Sequence, residues 1–118
     1  MLINFSNHPS RYWDHKQIEA SQHYGELIDM LFPQIAPNAT VEELQMLAEK
    51  CVQQIVSQAA PQTITVHIMG EMTFTYMVVS KLKEMGIRCI ASTTERKTSY
   101  NADGTKLSEF SFVKFREY

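Results

Sequence analysis

Apolar and polar positions along the chain follow two periods. Leu2 to Ser6 is a short apolar run closed by Asn7-His8-Pro9-Ser10, the pattern of a strand running into a turn. Asp14 with Gln17 predicts a helix cap, and Ile18, Ala20, Ser21 and Tyr24 give that helix a modest apolar or small-residue face before Gly25 stops it. Trp13, just before the cap, is expected to staple against Ile18. Glu26 to Leu31 suits either a strand or a continued helix. Gly25 before it and Pro33 and Pro37 after it favour the strand. A clearer helix follows Thr40, which pairs with Glu43 as a capping box. Leu44, Leu47, Ala48, Cys51, Ile55 and Val56 recur at steps of three and four, and Pro61 ends the run.

The second half repeats the alternation. Thr63 to Ile68 is β-branched and reads as a central strand. Glu71 to Met85 reads as a helix presenting Phe74, Met77, Val78, Leu82 and Met85, with Gly86 as its cap. Ile87 to Ala91 begins another strand. Thr93 to Tyr100 and Leu107 to Phe115 read as a hairpin turned by Asp103-Gly104, with a bulge allowed because Phe110, Phe112 and Phe115 break strict alternation. The expected fold is therefore one α/β domain over residues 1–118. It is a Rossmann-like three-layer sandwich on a mostly parallel sheet of order about 2-1-3-4, with a C-terminal antiparallel strand at the edge.

Composition narrows the function classes. The chain has 118 residues, 44% of them hydrophobic and 20% charged, which suits a single globular core. It carries no apolar run of membrane-spanning length and no basic-then-apolar leader, so the expectation is a cytoplasmic protein without a membrane partner. Residues 1–60 carry a net charge of −4 and residues 61–118 one of +2, which leaves room for a local anion site but argues against long nucleic acid. Cys51 and Cys89 lie far apart in apolar patterns and read as reduced core residues. The sequence has no HExxH, CxxC, GxGxxG or phosphate-loop motif, so neither a metal nor a cofactor is expected.

In an open α/β sheet, ligands collect beyond the carboxyl ends of the parallel strands. Three segments are expected there as loops: Ser6 to Arg11, Met69 to Thr73, and Ser92 to Lys97. Asn7 either closes a turn or orients a ligand, and His8 is either simply exposed or able to donate to phosphate or move a proton. Gly70 would admit a ligand close to the backbone. Glu71 reads first as an acid at a helix start, second as a reader of a base amine or ribose hydroxyl. Arg96 and Lys97 could hold a phosphate or simply solvate a hairpin edge. Thr93 and Thr94 could bind ligand oxygens or serve strand propensity. His67, inside a β run, reads as a core or sheet-face residue.

The stretches Asn4-Phe5-Ser6-Asn7-His8-Pro9-Ser10, His67-Ile68-Met69-Gly70-Glu71 and Ala91-Ser92-Thr93-Thr94-Glu95-Arg96 together resemble small CRISPR-associated proteins related to CARF domains, over nearly the whole chain. That resemblance implies a Rossmann-like homodimer that binds a cyclic oligoadenylate second messenger across its two-fold axis. Tyr12, Trp13, Met72 and Tyr76 are candidates for the interface. Some such proteins are ring nucleases acting in antiviral defense, and others bind without cutting. In a ring nuclease the ribose 2′-hydroxyl attacks the adjacent phosphorus without a metal. On that implication His8 is a possible acid or base, and Arg96 and Lys97 stabilise phosphate. Ser6, Asn7, Thr93 and Thr94 would position the ligand, with Gly70, Glu71, Thr73 and Glu95 as further contacts. A nucleotide-independent interaction domain is the third reading.

Overall fold

The computed structural model describes residues 1–118. β1 (Leu2–Ser6) is buried at every position, as a strand flanked on both edges and covered on both faces must be. It pairs in parallel with β2 (Leu27–Leu31) on one side and with β3 (Thr65–Met69) on the other. β3 pairs in parallel with β4 (Arg88–Tyr100), which turns back antiparallel into β5 (Lys106–Glu117). The sheet order is β2-β1-β3-β4-β5. The expectation of a mostly parallel sheet with a C-terminal antiparallel strand is met by a mixed sheet of five strands, whose order 2-1-3-4-5 differs from the expected 2-1-3-4. The ambiguous segment after Gly25 is a strand, and Gly25 takes the left-handed φ of 92° that ends the preceding turn.

Helices cover this sheet unequally. α2 (Val41–Val56) and α3 (Met72–Glu84) pack together on one face. Ile3, Phe5, Val66, Ile68 and Cys89 meet Leu44, Ala48, Cys51, Val52, Ile55, Phe74, Val78 and Leu82 there in one core. Fully burying each larger apolar side chain contributes roughly 1.5–3 kcal/mol, so this face carries most of the stability. Phe5, Phe32 and Phe74 cluster there in tilted and edge-to-face contacts. Within α2 the buried stripe includes Val52, while Leu47 and Val56 are only half-buried. In α3, Thr75 and Val79 are buried and Met85 lies outside at the C-cap.

The other face of β1 and β3 is polar at alternate positions, where Asn4, Ser6 and His67 are all buried. α1 (His15–Ser21) lies on this side. Asp14 caps it by accepting from Gln17 N, and its second oxygen accepts from Phe112 N, which ties the helix to β5. The Trp13 indole packs on His67 and Phe115, and its Nε1 donates to the His8 carbonyl.

Of the two expectations for one segment, the structure corrects the loop and meets the hairpin: Ser92 to Lys97 is the middle of a long β4. Parallel pairing with β3 ends at Ile90, whereas antiparallel pairing with β5 continues to Tyr100. At about 3.3 Å per residue, Thr93–Tyr100 forms a two-stranded ribbon running roughly 25 Å past the carboxyl edge of the parallel strands. The anticipated bulge falls where Thr93 opposes Lys114 and Thr94 opposes Phe112, which leaves Val113 as the extra residue. No helix is long and apolar enough to cross a membrane.

Candidate functional site

Each buried polar side chain on the α1 face needs a partner, and the network that supplies them is continuous. Asn4 Nδ2 donates to Asp29 Oδ1 and to the His8 carbonyl, both at 2.8 Å. Ser6 Oγ donates to Asn4 Oδ1 at 2.7 Å, and the same oxygen lies 2.9 Å from His67 Nδ1. His67 Nε2 reaches Ser92 Oγ at 2.7 Å, and Gln17 Nε2 donates to that hydroxyl at 2.9 Å. Asp29 also accepts from Ser10 N and Ser10 Oγ, which fastens the turn after β1.

The electrostatics follow from burial. His67 is 1% exposed, and desolvation, with the nearby His8 adding to it, pushes its pKa down to about 4. It is therefore neutral at physiological pH. Partial burial pulls the Asp29 carboxyl upward, but hydrogen bonds from Asn4 and Ser10 together outweigh it and hold the group below the usual carboxylate range.

His67 and Ser92 open onto a cleft of about 460 Å³ at the carboxyl edge. Its walls include His8, Tyr12, Trp13, Gln17, Thr94, Phe110 and Phe112. Ribbon residues that face one another across β4 and β5 share a side, so Arg96, opposite Phe110, stands on the cleft side with Thr94. Alternation turns Thr93, Glu95 and Lys97 to the other side.

The residues singled out from the sequence divide accordingly. His8 and Thr94 line the cleft, and Arg96 stands above it with Nη2 donating to Ser108 Oγ at 3.1 Å. Ser6 is buried in the network. Asn7 and Glu71 line a separate hollow beside Phe32 and the Pro33–Pro37 loop. Glu71 is the cap of α3, accepting from Phe74 N, Thr73 N and Thr73 Oγ1, and the Phe74 amide above all holds its carboxyl below the ordinary value. Thr73 is thereby committed to Glu71. Gly70 makes room for the Phe32 ring, since a Cβ there would lie 2.2 Å from Phe32 Cζ. Thr93 Oγ1 donates to the Lys114 carbonyl and accepts from Lys114 N at the bulge. Lys97 opposes Glu109 on the far side, with Glu95 exposed nearby.

Asn4, Gln17 and Asp29 have no place in the sequence-based site, Ser92 enters it only as part of a loop, and His67 is read there as core. A signal for them exists: Asn4, His67 and Ser92 interrupt apolar strands at positions that share one face. No group of three His, Cys, Asp or Glu side chains is placed to hold a metal ion.

Fold and site together define a single mixed α/β domain with a polar, aromatic-walled cleft at the carboxyl edge of its parallel strands. The chain belongs to the family described as the Uncharacterized protein MJ1673 family, whose sequence model matches residues 1–116. No curated protein and no solved structure matches it.

Proposed function

We propose that the chain is a Rossmann-like, CARF-like module that binds a cyclic oligoadenylate and cleaves it, acting as a homodimer in CRISPR-linked signalling. The observation that carries this reading is the cleft at the carboxyl edge, where His8, Thr94 and aromatic side chains meet below Arg96. Its size falls in the range of small-ligand sites, and Tyr12 or Trp13 offers a face on which a purine can stack. Arg96 suits bidentate contact with a phosphate. A two-fold copy would present the same groups to the other half of a symmetric ring.

In this reading the ribose 2′-hydroxyl attacks the adjacent phosphorus in line, giving a 2′,3′-cyclic phosphate and a 5′-hydroxyl. His8 accepts the proton of the attacking 2′-hydroxyl and delivers it to the departing 5′-oxygen, and Arg96 stabilises charge building on the phosphoryl oxygens. Thr94 positions the ring, while Asn7 lines the separate hollow beside Phe32. Lys97, which points away from the cleft within its own chain, contributes to phosphate only through the far side of the ribbon or a second copy.

The test incubates purified protein with cyclic tri-, tetra- and hexaadenylate, with and without EDTA, and separates the products chromatographically. Linear products ending in cyclic phosphate, unaffected by EDTA and slowed in Arg96→Ala, are expected. Tight binding with unchanged ligand would leave a sequestering protein. Absence of binding to all three rings would reject the nucleotide reading and leave an interaction domain.

A further inference from the structure

We propose that Ser92 is an activated nucleophile, with His67 as its base and Asn4 as the group that orients His67, and that the cleft above it takes a small ester with an aromatic or branched apolar acyl group. This stands on its own geometry and does not require that a nucleotide bind.

The direction of every hydrogen bond in the constellation is fixed by its neighbours. The two partners of Asn4 Nδ2 are a carboxylate and a carbonyl, neither of which can donate, so the amide is oriented and its oxygen faces His67. That oxygen only accepts, so Nδ1 of the neutral ring carries the proton and Nε2 keeps its lone pair. Gln17 Nε2 donates to Ser92 Oγ, so the hydroxyl hydrogen points along the 2.7 Å contact to Nε2. This is the nucleophile, base and orienter relation in which a hydroxyl becomes reactive. Trp13 and Phe115 meet the imidazole with centroids 5.2 and 5.5 Å away and hold its plane.

The hydroxyl is also reachable. Ser92 is only partly buried and lines the cleft beside His67, which is almost wholly buried. Trp13, Phe110 and Phe112 give the cleft an apolar wall, and the Asp14 carboxylate beside them disfavours an anion, which together favour an uncharged, apolar acyl group. Two donors beside Ser92 could serve the oxygen of a reacting carbonyl. Gln17 has a second amide hydrogen. The backbone N–H of Ser92 points at Met69 Sδ, a weak acceptor 3.3 Å away on a flexible side chain.

In the reaction, Ser92 Oγ bonds to the ester carbonyl carbon while its proton passes to His67 Nε2 and the carbonyl electron pair moves onto oxygen. Collapse expels the alkoxide, which takes the proton from His67 and leaves as the alcohol. Water then attacks the acyl-serine with His67 again as proton acceptor. The acid and the free serine are restored.

The experiment treats the full chain with a biotinylated alkyl fluorophosphonate and locates the adduct by peptide mass spectrometry. Urea-unfolded protein serves as a reference that needs no variant. A single adduct on Ser92 is expected, formed about 100-fold or more faster in the folded than in the unfolded chain, in keeping with base assistance of this kind. The adduct should be absent in Ser92→Ala and slowed to a similar degree in folded His67→Gln. A p-nitrophenyl ester should release one equivalent of nitrophenol in a burst. No adduct on Ser92 in the folded protein, or equal labelling before and after unfolding, would overturn the proposal. Because the probe contains no nucleotide, this result and the oligoadenylate result are read separately.

Discussion

Acidification should destabilise the fold through His67 before the carboxylates dominate. In the unfolded chain this imidazole titrates near 6.5, and in the folded protein near 4, chiefly because burial disfavours the cation. Between these values the unfolded chain holds a proton that the folded chain lacks. The contribution is therefore fully present above about pH 6.5 and is lost as the pH falls toward 4. A difference of this size corresponds to about 3 kcal/mol in all, most of it gone by about pH 4.5. Against a typical domain stability of about 5–15 kcal/mol, that is a large share. The groups facing the ring are Asn4, Ser92, Trp13 and Phe115, with His8 nearby, so no carboxylate directly rescues the charged form. Urea unfolding followed by far-ultraviolet circular dichroism across this range, on wild type and His67→Gln, isolates the effect. Asp29, Glu71 and Asp103, whose pKa values are lowered, act in both proteins. Parallel stability curves, or a His67 ring signal titrating near 6.5 in the folded protein, would refute the reasoning.

Gly70→Ala should destabilise by roughly 1–3 kcal/mol, because its Cβ would enter the Phe32 ring, which is itself packed against Phe5 and Phe74; a thermal melt reads the loss. Trimming the ring as well, in Gly70→Ala with Phe32→Leu, should remove the clash, so a double variant no better than the sum of the singles would count against it. Cys51 and Cys89 should react with a disulfide reagent only after unfolding, since both are buried and burial pushes the Cys89 thiol up to about 11; fast reaction of the folded protein would contradict this. Asp29→Ala should cost about 1–3 kcal/mol and loosen the turn after β1, because Asn4 Nδ2, Ser10 N and Ser10 Oγ lose their common acceptor. Hydrogen exchange at Ser10 is the direct readout.

The elements were legible where one local rule acted alone. Thr40 with Glu43, Asp14 with Gln17, and Gly86 at φ 76° each punctuate a helix as their chemistry requires. Even Leu27–Leu31, too short for periodicity to decide, was settled by Gly25 before it and the prolines after it. The site was less legible, because its residues take their meaning from strands that are distant in sequence. His67 in a β-branched run looks like any sheet-face histidine until Asn4, 63 residues away, and Ser92, 25 residues away, are set beside it. Glu71 could be read as an acid at a helix start because the partners it caps are its own neighbours. Gly70 could not, since its packing against Phe32 exists only once β2 is placed beside β1.

The extent of β4 is the feature that turns a common sheet into this particular site. Had β4 ended with its parallel partner, Ser92 would sit at a frayed terminus, with nothing to fix its hydroxyl or wall the space above it. Antiparallel pairing with β5 carries it onward and brings Phe110 and Phe112 over the same side as Thr94 and Arg96. A regular β5 would then have placed Phe115, three residues beyond Phe112, on the opposite side. Val113, the extra residue at the bulge, resets that alternation. Phe112 can therefore line the cleft while Phe115 closes over His67 and Trp13, their rings in contact at 4.9 Å. One inserted residue thus lets a single strand build the outer wall of the cleft and the lid of the buried histidine.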